Sequence, residues 1–351
     1  MLGVIGIHVG SYALNNPHAN AQLVGILEIL SRFTVPAFFF LSAFGLFLHT
    51  SVDDDFSYFT FLKKRMRVVL YPYLAWSLFY LLYNGFLAHD MTGLLPRYFL
   101  PTILFGNASY HLYFMVILLW FYLLMPLWRA LVRIALARPA VVLVTLFLLQ
   151  TAFNYWSSYE ASSVRFDSPV LQYLYTMRLN YWVLHYVWIF LLGAVVAERY
   201  DDARELLWNY RLAVTVAFAL AVTAMTGSYF YLLYERGYTL LEAIYTVHQL
   251  SPQGMLYTGS ACLFFLLFFI TSPLGKDART FWLELGDASY GIYLIHPFFL
   301  SIFSMFIERT GHLYTAAVVV LLYVSAVCAA YLATVALQRL PKRLRSYLLG
   351  R

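Results

Sequence analysis

The chain has 351 residues, of which 62% are hydrophobic and 11% charged, with a formal net charge of +6. A charged fraction less than half the roughly 25% of soluble domains excludes a disordered chain, a small disulfide scaffold and a water-soluble enzyme. At about 20 apolar residues per crossing, the chain has room for roughly ten crossings with short loops. It therefore reads as an all-α polytopic membrane protein, because continuous apolar runs spell helices and not the alternating strands of a barrel.

In chain order the apolar segments fall at 1–14, 24–48, 68–88, 111–132, 139–156, 180–197, 211–233, 254–272, 285–307 and 313–338. No internal repeat and no long soluble insertion interrupts them, so residues 1–351 read as one membrane domain. The basic residues orient it. With the N-terminus inside, seventeen fall on the inner side, in groups around Lys63–Arg67, Arg129–Arg138, Arg199–Arg211, Lys276–Arg279 and Arg339–Arg351. Five (Arg97, Arg165, Arg178, Arg236 and Arg309) fall outside. This asymmetry predicts ten crossings with both termini cytoplasmic. The first segment, about 14 residues, is shorter than the roughly 17 a span requires, which predicts an upstream start for this helix; a short tilted helix is the alternative. Cys262 and Cys328 sit in apolar runs and read as packing residues.

An ionisable group inside a crossing costs about 2.5–3.5 kcal/mol on insertion scales, so each needs a reason. His8 lies in the first crossing and has no local partner, and a histidine there can take a proton from a hydroxyl. Glu28 and Arg32, four apart in the second, share a helix face, where they either neutralise one another or serve a reaction. His296 lies in the ninth crossing and precedes Pro297; it either lines a site or bonds a carbonyl that the proline frees. Asp53–Asp55 reads as a solvated loop. Trp156, Tyr159, Tyr173, Tyr175, Tyr181 and Trp182, in and around the outer loop 157–179, suit an interfacial belt first and sugar stacking second. Within FLKKRMRVVLYPYLAW, residues 61–76, four basic residues in five positions either anchor the chain on anionic lipid or hold a phosphorylated ligand. No metal-ligand spacing, nucleophile elbow or phosphate loop is present in the sequence.

Five segments together resemble the integral-membrane acyltransferase family 3. They are GVIGIHVG around His8, SRFTVPAFFFLSAFGLF at 31–47, FLKKRMRVVLYPYLAW at 61–76, YHLYFMVILLWFYLLMPL at 110–127 and LGDASYGIYLIHP at 285–297. The resemblance spans about 290 residues, and its strength is the order and spacing of the segments. It implies transfer of an acyl group, usually acetyl, from cytoplasmic acyl-coenzyme A to a sugar hydroxyl of a surface glycan, in a bacterial inner membrane. His8 would be the general base or a transient acyl carrier. Arg32, partnered by Glu28, would be the charged donor to an oxyanion. Lys64, Arg65 and Arg67 would hold the coenzyme A phosphates, and His111, Tyr113 and His296 would face the acceptor. Partners would be the glycan acceptor, membrane lipids and other membrane enzymes of glycan assembly, with no metal and no nucleic acid.

The sequence departs from the family pattern in three places. The basic residue that usually precedes the helix-one histidine by about ten positions would lie ahead of Met1. The R-x-x-R spacing expected at Arg65 and Val68 is met only by Lys64 with Arg67. Tyr113 stands where many relatives carry tryptophan. The competing reading is a transporter or flippase of a glycan or lipid-linked glycan. Against it, the breaks at Pro36, Pro126 and Pro297 show no two-fold pattern.

Overall fold

The computed structural model describes residues 1–14 and 20–351, and among these it contains helices and no strand. In chain order the helices are α1 (Leu2–Leu14), α2 (Ala21–Ser31), α3 (Thr34–His49), α4 (Tyr58–Ala88), α5 (Pro96–Phe105), α6 (Tyr113–Leu123), α7 (Met125–Ala137), α8 (Pro139–Tyr155), α9 (Pro169–Thr176) and α10 (Arg178–Tyr181). They continue as α11 (Val187–Glu198), α12 (Tyr200–Asn209), α13 (Arg211–Tyr234), α14 (Leu240–Thr246), α15 (Pro252–Thr271), α16 (Lys276–Arg309), α17 (Ala316–Gln338) and α18 (Lys342–Leu349).

Six helical stretches among the described residues are long and apolar enough to cross a membrane, and eight if each bent pair is one span. The protein is thus an all-helical, multi-span membrane protein. Of the ten expected segments, the remaining two correspond to α1, of 13 residues, and the later turns of α4.

Prolines explain most of the breaks, because each removes one backbone donor and clashes with the preceding turn. The segment expected as one crossing at 111–132 is bent by 72° between α6 and α7, at Leu124, where Pro126 has no N–H for the carbonyl of Tyr122. The segment expected at 24–48 is interrupted by a turn at Arg32–Phe33, four residues before Pro36. Two freed carbonyls there find side-chain donors. Tyr257 Oη donates to the Leu30 carbonyl at 2.7 Å, and Thr34 Oγ1 donates to that of Ser31 at 2.7 Å. An interrupted span survives in lipid only when such groups are satisfied by neighbouring protein. A second break, at Arg199, separates the span that begins at Val183 from α12.

The chain divides into two compact units. Unit 1 comprises Met1–Leu41 and Arg199–Ala336. Here α1 lies along α2, α13 packs on α15, and α2 also meets α13 and α14. Its core gathers Ile29, Met225, Tyr229, Ile244, Val247 and Tyr257. Unit 2 comprises Ser42–Glu198 and Leu337–Arg351. Its centre is an aromatic stack of Phe121 on Phe190, 4.4 Å between centroids, against which Trp128 packs while donating to the Phe121 carbonyl. Both cysteines are free thiols, Cys262 buried and Cys328 exposed.

Candidate functional site

In unit 1, helix α1 carries a stripe of glycines on one face and His8 on the other. A Cβ on Gly3, Gly6 or Gly10 would stand 2.4 Å from Thr34 Cγ2, 3.3 Å from Ser31 Oγ and 3.4 Å from Glu28 Cβ respectively. These glycines form the small-residue stripe by which membrane helices approach without a hydrophobic driving force. His8 is two residues from both Gly6 and Gly10, a rotation of about 200°, so it occupies the opposite face. That face meets α16, where the His8 and His296 rings stack with centroids 5.4 Å apart and planes at 21°.

His296 is fully buried, and its tautomer follows from its partners. Pro297 has no N–H for the Tyr293 carbonyl. His296 Nδ1–H supplies one instead, donating to Tyr293 O at 2.8 Å and to Ile292 O at 3.1 Å. In neutral imidazole the remaining lone pair is then on Nε2. The carbonyl-bonding alternative for His296 is therefore realised, and the same residue also supports His8.

Glu28 and Arg32 do pair: Arg32 Nη2 donates to Glu28 Oε1 at 2.7 Å, with the residues 3% and 9% exposed. Glu28 Oε2 and Arg32 Nε are buried and make no hydrogen bond within the described residues. The Arg32 guanidinium lies 5.9 Å from the ring of Tyr245. Tyr245 is carried by α14, whose start is fixed by a reciprocal capping box between Thr239 and Glu242. The two hydrogen bonds from Thr239 hold the Glu242 carboxyl below its ordinary value. The ion pair meets α1 at Gly10, on the face away from His8.

In unit 2 the basic cluster splits. Lys63, Lys64 and Arg67 are exposed along one side of α4. Arg65 turns inward, its guanidinium 5.6 Å from the Phe61 ring and 5.8 Å from that of Tyr122, with Nε buried and unbonded among the described residues. His111 is buried, shares a 3.1 Å hydrogen bond between Nδ1 and Ser109 Oγ, and meets Tyr80 edge-on at 5.4 Å. Tyr113 opens α6 and is half-buried. The predicted residues thus fall in two sets, His8, Glu28, Arg32 and His296 in unit 1 and Lys64, Arg65, Arg67, His111 and Tyr113 in unit 2.

Two polar constellations escaped the sequence reading. The acidic loop has exposed carboxylates, as expected, but its backbone is clamped. Arg129 donates to the carbonyls of Ser51, Val52 and Asp54 at 2.7–2.9 Å, Arg133 also donates to Val52, and Glu198 accepts from Ser51 Oγ and Val52 N. At the end of α8, His185 Nδ1–H donates to Trp182 O, leaving Nε2 to accept from Ser157 Oγ at 2.9 Å. Arg178 donates to both oxygens of Ser157, and Gln150 and Asn154 donate to the His185 carbonyl. Ser157 lies in a π-helical turn and is fully buried with His185, so the network ties the 157–185 segment to α8. The sequence signal was Gln150, Asn154 and Ser157 at i, i+4 and i+7, one polar stripe on an apolar helix. A cleft of about 490 Å³ between α12 and α15 is lined by Asp201, Arg204, Glu205 and Trp208 with Ile270 and Thr271, and holds none of the predicted residues.

Comparison with known proteins follows the same lines. The chain is 26% identical over 94% of its length, and 85% of the relative's, to YfiQ of Bacillus subtilis (strain 168), whose name gives it provisionally as a membrane-bound acyltransferase. It is also 26% identical over 54% of its length to a Staphylococcus aureus (strain MRSA252) protein named, again provisionally, for export of poly-beta-1,6-N-acetyl-D-glucosamine. Of that relative the chain spans about half the length, 50%. No solved structure matches. The sequence profile of the acyltransferase domain family, Acyl_transf_3, matches residues 1–337, and the chain belongs to that family.

Proposed function

We propose that this chain, acting as one domain over residues 1–351, moves an acyl group from cytoplasmic acyl-coenzyme A to a hydroxyl of a cell-surface or exopolysaccharide sugar. Acetyl is the simplest acyl group for this role, and the bacterial inner membrane the setting. The observation that carries the reading is a set of ionisable groups within apolar helices of a family-matched chain, His8 half-buried and Glu28, Arg32 and His296 buried. His8 stacks on His296, and the neighbouring helix holds an ion pair whose Glu28 Oε2 and Arg32 Nε make no hydrogen bond among the described residues. Such groups inside a membrane mark a functional site.

In this mechanism a ring nitrogen of His8 accepts the proton of the acceptor hydroxyl as its oxygen attacks the thioester carbonyl. The tetrahedral oxyanion collapses, the C–S bond breaks, and the imidazolium returns the proton to the leaving thiolate. A positioned base of this kind contributes about 10²–10⁴ in rate. Arg32, paired with Glu28 on the face of α1 away from His8, is assigned to the site as a positioning charge. Lys64 and Arg67 present exposed charge to the donor's phosphates, and Arg65 adds a half-buried guanidinium with an open Nε–H. His111, Tyr113 and the Nε2 side of His296 are assigned to the acceptor.

One finding favours a second reading, export of a glycan, namely the name of the Staphylococcus aureus relative. Both readings share a polysaccharide, and transfer from labelled acetyl-coenzyme A separates them. Membranes carrying the intact chain or His8→Ala are given a crude glycan pool. The expected result is label in glycan with the intact chain and a loss of about 10²–10⁴ with His8→Ala at unchanged thermal stability. Equal transfer by His8→Ala removes His8 from the chemistry. An intact chain that neither binds coenzyme A nor transfers label favours export.

A further inference from the structure

The short helix α18 docks on α4 just beyond the basic cluster, and the contact is specific. Pro72 has no N–H for the Val68 carbonyl, and the Gly350 backbone packs directly on that carbonyl; a Cβ on Gly350 would stand 2.1 Å from it. Trp76 Nε1–H donates to Leu348 O at 2.9 Å. Between these two contacts Tyr71 of α4 stacks on Tyr347 of α18, centroids 5.4 Å apart and planes at 23°. The two rings are 39% and 46% exposed, so each keeps an open surface.

The charges around this pair are arranged on two sides. Arg67 and Lys64 precede Tyr71 by four and seven residues on the same face of α4, about 6 and 10 Å along the axis. Gly350 at Val68 and Tyr347 at Tyr71 make α18 antiparallel to α4. Exposed Arg343, one turn before Tyr347, therefore lies on the side of the pair away from Arg67. An open aromatic platform with cations on both flanks suits a purine whose ribose carries phosphate in two directions. A membrane anchor needs no such division, since a single basic patch meets lipid headgroups equally well.

We propose that Tyr71 and Tyr347 are the adenine subsite for the nucleotide end of the acyl donor, with Arg67 and Lys64 on one phosphate group and Arg343 on the other. This rests on the acyl-coenzyme A reading above and extends it. Adenine stacks on the open tyrosine surface, and the 3′-phosphate and the 5′-pyrophosphate of coenzyme A divide between the two flanks. Neither Tyr347 nor Arg343 enters the chemistry, so donors lacking a nucleotide bypass them.

The test is binding of coenzyme A, 3′-dephospho-coenzyme A and pantetheine to the full chain in phosphatidylcholine nanodiscs, with transfer from acetyl-coenzyme A compared with transfer from S-acetyl-N-acetylcysteamine. Tyr347→Ala is expected to weaken coenzyme A about tenfold, the scale of a lost base–aromatic stack, and Tyr347→Phe to retain it. Arg343→Gln is expected to weaken coenzyme A and leave pantetheine unchanged. Transfer from the truncated donor should stay at the intact level in all three variants. Hydrogen exchange of α18 shows whether Tyr347→Ala stays docked, and Tyr347→Phe with Arg343→Gln decide the matter if it does not. Coenzyme A binding unchanged in both Tyr347→Ala and Arg343→Gln overturns the proposal. So does a change confined to phosphatidylglycerol retained in native mass spectrometry, which would make the patch a lipid surface. If the intact chain binds no coenzyme A, the donor reading itself fails; if it binds and the variants bind alike, only the subsite fails.

Discussion

Replacing Arg32 by alanine strips Glu28 of the single hydrogen bond its carboxylate makes among the described residues. Oε1 loses the 2.7 Å bond from Nη2, and Oε2 already has no partner, in a residue only 3% exposed. A buried charge deprived of its partner costs about 3–5 kcal/mol, a factor of roughly 150–5,000 in the folded-to-unfolded ratio. Removing both charges is a different perturbation. Glu28→Leu with Arg32→Met leaves no buried ion, and replacing a buried pair by apolar groups of similar volume is often neutral or stabilising. Reversible unfolding in mixed micelles, followed by tryptophan fluorescence and extrapolated linearly, gives both values. The expected order is intact chain and double variant close together, with Arg32→Ala well below. A loss under about 1 kcal/mol for Arg32→Ala, or a double variant as unstable as the single, refutes the argument that the pair is energetically coupled. Acyl transfer by the double variant then divides the two roles. Transfer retained means that Arg32 only neutralises Glu28; transfer lost at normal stability means that the charged pair serves the site.

Other predictions follow from single contacts. Arg129→Lys cannot reproduce the fork that holds three carbonyls of the 51–54 loop, and at roughly 0.5–1.5 kcal/mol for each lost bond it should destabilise the chain and speed amide exchange from Ser51 to Asp54. Unchanged exchange would show that the clamp is not needed. Because the folded Glu242 carboxyl titrates below its unfolded value of about 4.3, its contribution to α14 is complete above that pH and is lost as pH falls through the folded value. Thr239→Ala removes the hydroxyl donor and keeps the backbone one, so it should weaken this dependence in the exchange of α14 amides. Gly350→Ala places a Cβ against the Val68 carbonyl at a left-handed φ of 71°, so α18 should undock, and limited proteolysis at Lys342–Arg345 should cleave it faster than in the intact chain.

The composition already determined the class. With 62% hydrophobic residues and few charges, helices that satisfy their own backbone are the only chains of this pattern that lipid accepts. Local spacing also determined the Glu28–Arg32 pair, since residues four apart on a helix are neighbours wherever the helix goes. The carbonyl bond of His296 was equally local, being a consequence of Pro297 one residue on. What lies far apart in sequence was decided by packing alone. His8 stacks on His296, across most of the chain, because the glycines on the other side of α1 let α2 come close and leave the histidine facing α16. The split of the basic cluster required Tyr122 beside Arg65, and the two-sided platform required α18 to find the carbonyl freed by Pro72. Polar stripes such as Gln150, Asn154 and Ser157 announce that a partner exists, but only the tertiary contacts name it as His185. The reason is physical: a buried polar group must be satisfied somewhere, while sequence spacing fixes partners only within a few turns of one helix.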